Sequence, residues 1–376
     1  MSAVYKKLEE VCEILDSRRV PITAKDRKAG IYPYYGANGL QDYVAEYIFD
    51  DELVLLAEDG GNFGSKERPI AYRVSGKCWV NNHAHVLKAK PLVNVDYLCY
   101  ALMFYDTEGL VNGATRQKLT QAAMRQMVIP YRDMTEQLQI VDEISQVIRL
   151  IDKRKEELEL LAQLVKSRFI ELFGDVTSNP NGYPVKNFEE ISVLITDGEH
   201  ATPRRTEVGI YLLSARNVLN HALQLEDVDY IDEEEYSRIA RRVIPQAGDV
   251  LISCSGSIGR CCVVPNGLRF QMVRSAALIR FDNTINPVFA EWLITSDDLQ
   301  QQIAQSATQS SQANLFQGKI RKLHGYVPPI ELQQQFASFV EQTDKSKYYS
   351  SLSYHLCRQA ASYYRQEWMT CRTSNS

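Results

Sequence analysis

The feature of this chain that most constrains its fold is an internal repeat at a fixed spacing. An apolar run that ends in a glycine turn occurs around Val54 and again around Val250, and the interval between the two copies is 250 − 54 = 196. Leu119 and Leu315 lie in polar segments further along each copy, and their interval is the same, 315 − 119 = 196. A register that persists in this way indicates duplication of a whole domain. We therefore expect two similar domains with two similar working surfaces.

Each copy leads into a long segment with helical periodicity. In residues 134–173 the apolar side chains recur at steps of three, four or seven, which is typical of a coiled-coil seam. Residues 330–369 carry a second apolar stripe that is richer in aromatic side chains. In both copies a proline stands six residues before the pair that opens the helix: Pro130 before Glu136-Gln137, and Pro328 before Gln334-Gln335. Neither helix can bury its stripe alone, so we expect the two helices to pair.

Helices of this length can act as a spacer. About 40 residues at a rise of ~1.5 Å give roughly 60 Å, and a chain that folds back would run the two helices antiparallel between the domains. We predict a mixed α/β (α+β) fold with a pseudo-two-fold internal repeat and a coiled-coil spacer. The predicted boundaries are 1–133 for the first domain, 134–174 for the first long helix, 175–329 for the second domain, 330–369 for the second long helix and 370–376 for the tail.

The composition is that of an ordinary globular protein. Hydrophobic residues make up 45% of the 376 residues and charged residues 24%, which argues against disorder. No apolar run approaches the roughly 20 residues of a membrane helix, and residues 1–7 lack the apolar stretch of a signal peptide. The eight cysteines are scattered and include no C-x-x-C pair, which indicates neither a disulfide framework nor a zinc cluster. We therefore expect a cytoplasmic chain.

The charge distribution limits how the chain could bind nucleic acid. A net charge of −5 argues against a protein that coats nucleic acid regardless of sequence, because such binding grows with the number of phosphates that Lys and Arg neutralise. Acidic residues crowd residues 226–235. Three basic groups have no acidic residue directly beside them in the sequence: Arg204-Arg205, Arg241-Arg242, and Arg116 with Lys118 and Arg125. We expect an acidic chain that carries a local basic face.

The order of these motifs resembles a known family. A domain that ends in residues 113–120, continues through Ile129-Pro130 and opens a long helix at Thr135-Glu136-Gln137, with one duplication, resembles the specificity (S) subunit of type I restriction-modification enzymes. The turn Asp59-Gly60-Gly61 and the strand at 82–87 are also typical of that family's target-recognition domains. The second copy departs from the pattern, because Gln312-Ala313-Asn314-Leu315 replaces the Thr-Arg motif.

The resemblance implies a DNA reader that catalyses nothing itself. Each recognition domain would read one half of a split DNA site, and the paired helices would set the gap between the halves. Two methyltransferase (modification) subunits would dock on this core, and restriction/translocase subunits would join the complex. S-adenosylmethionine, ATP and magnesium would belong to those partners, so no cofactor is expected on this chain.

Two other function classes compete with this interpretation. A coiled-coil scaffold or adaptor would use the same helices without sequence-specific DNA binding. A nucleotide-dependent enzyme would need a complete phosphate loop or a nucleophile with its base, and the sequence contains neither a G-x-x-x-x-G-K-[ST] run, nor G-x-S-x-G, nor H-E-x-x-H.

The candidate DNA contacts in the first copy lie in a loop, on a strand and before a helix. The glycine-rich loop either turns tightly between strands or presents backbone N–H groups and cations to a phosphate. The strand carries two histidines at an H-x-H spacing. They are either half-buried structural residues, DNA contacts or metal ligands. Because no further ligands accompany the two histidines, no metal is predicted. The segment before the helix either grips phosphate or caps the helix. The candidates are Gly60, Asn62, Lys66, Arg68, His83, His85, Thr115, Arg116 and Lys118.

The second copy offers a set of candidates with more arginines. Arginine reads guanine through two parallel hydrogen bonds, so an arginine-bearing loop suits a reader of the major groove, although exposed arginine pairs are also common without a function. Serines around the glycine turn mirror the first copy. The candidates are His200, Arg204, Arg205, Arg216, Ser255, Ser257, Arg260, Arg274, Gln312, Asn314 and Lys319.

Overall fold

The computed structural model describes residues 4–113, 116–307 and 314–369. The chain divides into two compact units: the first comprises Met1–Glu156 with Ser351–Ser376, and the second comprises Glu157–Ser350. The division cuts both long helices, so each unit contains one α/β domain and part of each helix. Within the described ranges, no helix is long and apolar enough to cross a membrane.

The domain of the first unit is built from short strands and three short helices within the described residues. The strands are β1 (Val4–Lys7), β2 (Cys12–Ile14), β3 (Ala29–Gly36), β4 (Gly39–Val44), β5 (Phe49–Ala57), β6 (Ala71–Val80), β7 (Ala84–Ala89), β8 (Val111–Asn112), β9 (Lys118–Leu119) and β10 (Val128–Tyr131). The helices are α1 (Leu8–Val11), α2 (Val95–Leu102) and α3 (Gln121–Gln126).

A six-stranded sheet with the order β2-β7-β5-β6-β3-β4 organises this domain. Its neighbours pair antiparallel except for β3 and β6, which run parallel. The end of β5, from Leu53 to Ala57, is completely buried, which explains why it is apolar at every position rather than at alternate ones. Helix α2 packs on this sheet, and Asn94 caps it by accepting hydrogen bonds from the N–H groups of Asp96 and Tyr97.

The second unit contains a domain with more elements. Its strands are β11 (Val185–Asn187), β12 (Ser192–Asp197), β13 (Ile210–Leu213), β14 (Val218–Leu219), β15 (Ala222–Leu223), β16 (Asp229–Ile231), β17 (Val250–Ser253), β18 (Cys261–Val263), β19 (Phe270–Met272), β20 (Ala276–Phe281) and β21 (His324–Tyr326). Its short helices are α5 (Glu233–Ala240), α6 (Pro287–Ile294), α7 (Asp297–Ala307) and α8 (Gln317–Ile320). The principal sheets have the orders β12-β20-β17-β18 and β16-β13-β19.

The repeat found in the sequence is present in the backbone pairing. The N–H of Leu119 donates to the carbonyl of Glu58 (2.7 Å), and the N–H of Leu315 donates to the carbonyl of Cys254 (2.9 Å). Each partner is displaced by the same interval, since 315 − 119 = 254 − 58 = 196. The neighbouring isolated bridges repeat at that interval too: Asp59 with Lys118, and Ser255 with Asn314. The prediction of two similar domains is confirmed.

The long helices are α4 (Met134–Phe173) and α9 (Ile330–Met369). A buried glutamine lies in the first turn of each helix. Gln137 and Gln333 are both fully buried. The Gln137 side chain accepts a hydrogen bond from the N–H of Asn94 (2.7 Å), and the Gln333 side chain accepts one from the N–H of Asn286 (2.8 Å). Each amide group also donates to two carbonyls: Leu92 and Arg132 for the first glutamine, and Thr284 and Pro328 for the second.

These glutamines correct the register predicted at the helix starts. Gln333 is equivalent to Gln137, since 333 − 137 = 196, so the predicted match of Gln334-Gln335 with Glu136-Gln137 is wrong. The reason is that Pro328 occupies the position of Arg132, not that of Pro130. Counting from the prolines therefore displaced the alignment by two residues.

The two long helices pair antiparallel in the second unit. The ring of Phe336 on α9 lies 5.3 Å from that of Phe169 and 5.6 Å from that of Phe173 on α4. One turn further along α9, Phe339 lies 5.9 Å from the Arg168 guanidinium. Positions on α4 therefore decrease as positions on α9 increase, and the predicted antiparallel arrangement is confirmed.

Candidate nucleic-acid interface

A glycine turn brings the end of β5 against β9 in the first unit. Gly60 has a φ of +64°, a left-handed conformation that favours glycine. Its N–H donates to the carbonyl of Gln117 (3.1 Å), and a Cβ at this position would lie 3.3 Å from Nε of Arg116. Glycine thus permits both the turn and the close approach of the arginine. Gly256, at the equivalent position of the second copy, has a φ of +70°.

An exposed group of charged side chains surrounds this turn. One oxygen of Asp59 accepts a hydrogen bond from Nη2 of Arg116 (2.8 Å) and lies 2.6 Å from Nδ1 of His83. Nζ of Lys118 lies 3.0 Å from a carboxylate oxygen of Glu58. The side chains of Arg116 and Lys118 are 60% and 48% exposed. The structure therefore brings together four of the predicted residues: Gly60, His83, Arg116 and Lys118.

His85 lies beneath that group and is completely buried. Its Nδ1 lies 2.6 Å from a carboxylate oxygen of Asp16, and its Nε2 lies 2.9 Å from the carbonyl of Leu119. The prediction that His85 contacts DNA is wrong, because its ring is fully buried and cannot reach a ligand. The alternative of a structural histidine bonded to the backbone agrees with the contact of Nε2 with the carbonyl of Leu119, although the ring is fully buried and not half-buried. His85 instead ties β7 to β9 and so supports the exposed group above it.

The same buried cluster is the candidate metal centre within the described residues. Atoms of Asp16, Glu58 and His85 lie within 4.8 Å of one another. Both ring nitrogens of His85 are already engaged, and Glu58 is paired with Arg19 (2.6 Å). A divalent cation would have to displace these partners, so we assign the cluster a structural role.

The Asp16 carboxylate is the acceptor on which this cluster depends. Its second oxygen accepts a hydrogen bond from the N–H of Val86 (2.9 Å), and Gln121 donates to the first (2.9 Å). Burial raises the pKa of Asp16, but the hydrogen bond and charge of His85, with these two donors, outweigh burial and leave the pKa below 3.8. The sequence does not indicate Asp16 and Arg19 because, apart from each other, their partners such as His85 and Glu58 are tens of residues away in the chain.

We expect Asp16→Ala to lower the free energy of unfolding of the first unit by roughly 3 kcal/mol at neutral pH, because it leaves buried donors without a partner. The folded-state pKa is depressed, so the stabilisation is fully present above pH 3.8 and is lost as the pH falls through the folded-state pKa. Urea unfolding of the wild type and the variant should therefore show a smaller difference in the free energy of unfolding at pH 3 than at pH 7. The exposed Asp50→Ala is the control, and an equal loss there would contradict the role of Asp16.

The remaining loop candidates of the first unit lie elsewhere. The side chain of Asn62 donates to the carbonyl of Pro69 (3.3 Å), which holds the loop closed. Lys66 and Arg68 line a cavity of about 400 Å³, whose other walls include Tyr100 and residues of α4 and α9. The structure does not place these two cations in the group around Gly60. Thr115 lies outside the described residues, as does Gln312 of the second copy.

The glycine turn of the second unit is lined by smaller polar groups. Ser255 pairs with Asn314, and the carbonyl of Ser257 accepts a hydrogen bond from Oγ of Ser253 (2.6 Å). Nη2 of Arg260 donates to the carbonyl of Ala215 (3.0 Å). Arg260 therefore supports the backbone beside the turn.

Four candidates of the second unit are held by local contacts or remain at the surface. Nε2 of His200 lies 2.7 Å from a carboxylate oxygen of Asp197. Arg274 is exposed, and Nζ of Lys319 donates to the carbonyl of Ser306. Asn314 contributes to the bridge with Ser255 described above.

Three of the predicted arginines of the second unit have acidic partners. Arg204 is paired with Asp232 and Glu234, both at 2.8 Å. Arg205 and Arg216 are paired with Asp229, at 3.0 Å and 3.1 Å. The prediction that Arg204-Arg205 is unopposed is wrong, because the fold brings the acidic segment at 226–235 onto a loop that comes well before it in the chain.

Known proteins match this chain over both copies. A family model described as a type I restriction modification DNA specificity domain matches residues 3–160. A Haemophilus influenzae protein named as a type I restriction enzyme specificity subunit is 26% identical over 355 residues, which covers 90% of this chain and 86% of that protein. The chain is similar to type I restriction-modification specificity subunits over most of its length. The specificity subunits of these systems are non-catalytic.

A second curated protein and two solved structures are also similar to this chain. The EcoprrI specificity subunit from Escherichia coli is 30% identical over 81 residues, or 22% of this chain and 19% of that one. The crystal structure of a type I S subunit from M. genitalium superposes with a TM-score of 0.63 at 12% identity, and the match covers 98% of this chain and 96% of that chain. A structure from a study of complex assembly in a type I system gives a TM-score of 0.53 at 12% identity, covering 98% and 97%. At these identities the structures support the fold.

Proposed function

We propose that this chain is the subunit that reads a two-part DNA site for a type I restriction-modification complex in the cytoplasm. The observation that carries the proposal is the repeated turn, in which Glu58 with Leu119 and Cys254 with Leu315 make the same hydrogen bond at equivalent positions of the two copies. A duplicated surface suits a duplex that is contacted at two places. In the first unit the exposed Arg116 lies beside the turn, and the second unit presents three exposed arginines, Arg204, Arg205 and Arg216.

The proposed mechanism uses two kinds of contact with DNA. Contacts to phosphate position a protein on the duplex, whereas contacts to base edges specify the sequence. Arg116 and Lys118 would contribute to the first half-site, and Arg204, Arg205 and Arg216 to the second, because their side chains are about half exposed or more. Hydrogen bonds of arginine to guanine would supply the discrimination between base sequences.

The partner subunits are inferred from the similarity of this chain to type I specificity subunits. We propose that two methyltransferase subunits and, through the complex, restriction/translocase subunits assemble on this chain, and that S-adenosylmethionine, ATP and magnesium bind to them. Exposed apolar side chains on the long helices of the second unit offer a contact surface, because aromatic and apolar residues are enriched at interface cores. They include Leu160 and Leu164 on α4, and Tyr348 and Tyr349 on α9. A scaffold without DNA recognition would need only these helices and would not explain the repeated turns.

The test is to co-express the chain with its methyltransferase subunits and to map methylated positions across the host genome. The wild-type chain should give one bipartite motif. We expect Arg116→Ala with Lys118→Ala to relax or abolish recognition of one half, and Arg204→Ala with Arg205→Ala to affect the other half, by about 1–3 kcal/mol for each lost base contact.

The control for charge is Lys153→Ala with Lys155→Ala, which removes two exposed cations from α4 and should leave the motif unchanged. An undivided motif, or equal weakening of both halves by either arginine variant, would contradict the proposal.

A further inference from the structure

The acidic residues around β16 and α5 form ion pairs with three exposed arginines of the second unit. Arg204, Arg205 and Arg216, here called the arginine group, lie before this segment in the chain. Each of the three guanidinium groups is within 3.1 Å of a carboxylate oxygen from the segment. The fold therefore neutralises the part of the surface that the sequence alone marks as basic.

The geometry of Asp229 resembles that of a phosphate held by two arginines. One oxygen of Asp229 accepts from Nε of Arg205 (3.0 Å), and the other accepts from Nη2 of Arg216 (3.1 Å). Asp232 and Glu234 together engage Nη2 of Arg204, each at 2.8 Å. Carboxylates and phosphates offer the same kind of acceptor to a guanidinium group, so the donors of these three arginines suit a phosphate as well as a carboxylate.

These ion pairs are exchangeable because they are exposed. The side chains of the arginine group are 46–57% exposed, and those of Asp229 and Asp232 are 31% and 39% exposed. Exposed pairs contribute little to stability and are screened by salt. The pair of Arg280 with Asp249 is different, because Asp249 is only 2% exposed and accepts two hydrogen bonds from that arginine. Arg280 is therefore structural, whereas the arginine group can change partners.

We propose that Asp229, Asp232 and Glu234 are specificity-determining residues, because they compete with DNA phosphates for the arginine group and so suppress binding to DNA of the wrong sequence. The proposal rests on the proposed function in DNA recognition. When only DNA phosphates bind the arginine group, one set of ion pairs replaces another, and the free energy of binding is small. A duplex that also offers matching base edges gains new hydrogen bonds and displaces the carboxylates.

The test is a full-length triple variant, Asp229→Asn, Asp232→Asn and Glu234→Gln. These changes remove three negative charges and nearly preserve side-chain size. Asp232 is the N-cap of α5, accepting from the N–H of Glu235 (2.8 Å), and asparagine serves equally well as an N-cap. The matched control is Glu331→Gln, Glu341→Gln and Asp344→Asn, which removes three exposed charges from α9. Both variants have the same net charge, −5 + 3 = −2.

Binding is measured for the chain in complex with its methyltransferase subunits, as a function of salt concentration. The probes are a duplex of random sequence and a duplex that carries the site mapped from genomic methylation. We expect the triple variant to bind the random duplex on the order of tenfold more tightly than the control does, with a slope of log K against log salt that is steeper by about 2. Affinity for the mapped site should rise less, so that selectivity falls.

The outcomes separate this proposal from the one on which it rests. A wild-type complex that prefers its mapped site, with a triple variant equal to the control in random-duplex affinity and in salt slope, overturns only the competition. Weaker binding to the mapped site with an unchanged slope also overturns it, because the carboxylates would then only order the arginines. A wild-type complex that shows no preference for the mapped duplex, or binds neither duplex, overturns the proposed function and the competition together.

Discussion

A chain with Phe336→Ala is expected to lose about 4 kcal/mol of the free energy of unfolding of the second unit. Phe336 is completely buried, and its ring lies 5.3 Å from Phe169, 5.6 Å from Phe173 and 5.9 Å from Trp292. These residues come from α4, α9 and α6, so one side chain joins both long helices to the domain. Truncation would remove the apolar burial and leave a cavity among aromatic rings, which are rigid and cannot collapse to fill it.

The measurement is urea unfolding followed by a signal from the second unit, such as the fluorescence of Trp292. Tyr348→Ala is the matched control, because it removes an aromatic ring from the same helix at a position that is 66% exposed. Tyr348→Ala should lower the free energy of unfolding by no more than about 0.5 kcal/mol. Equal losses for the two variants would show that the aromatic cluster does not carry the packing of α9.

The architecture could be predicted because its signals are periodic and long. Duplication preserves spacing, so Val54 and Val250 mark equivalent strands, β5 and β17, without any knowledge of the fold. The apolar steps in residues 134–173 predict a helix because only a helix places them on one face. Helix α4 extends from Met134 to Phe173.

The register predicted at the helix starts is wrong because it is counted from Pro130 and Pro328, whose interval is 328 − 130 = 198, and not from the repeat interval of 196. It depends on the hydrogen bonds of Gln137 and Gln333, and the spacing between copies also changes along the chain. For these glutamines the interval is 333 − 137 = 196, whereas for the caps Asn94 and Asn286 it is 286 − 94 = 192. A four-residue difference in loop length between copies leaves no periodic signal.

The candidate site was predictable only in part, because charge pairing is a property of the folded chain. Gly60 lies in a turn that recurs at Gly256, Arg116 lies in the polar segment before Leu119, and the structure brings Gly60 and Arg116 together. His85 is polar and carries no sign in the sequence that it is buried against Asp16, 69 residues away. The acidic partners of Arg204 follow it by 28 and 30 residues. Sequence proximity therefore identified the residue types but not their partners.

Lengthening both long helices by one heptad is expected to change the recognised DNA site in its gap and not in its ends. Both helices pass between the units, α4 at Glu156–Glu157 and α9 at Ser350–Ser351. Seven residues inserted at each point would add about 10.5 Å of rise, since each helical residue contributes ~1.5 Å. At about 3.4 Å for each base pair, the gap should widen by roughly three base pairs. A heptad also returns each apolar stripe to nearly the same face, so the antiparallel packing can persist.

The measurement is the methylated motif of cells that express the lengthened chain with its methyltransferase subunits. We expect the original site to lose its methylation and a site with the same two half-sequences and a wider gap to gain it. The control carries five extra residues in each helix, which rotate the stripes by about 140° from their partners at ~100° for each residue and should abolish methylation altogether. If the heptad variant still methylates the original gap, the helices do not set the spacing, because the half-site readers are unchanged and only the length between them differs.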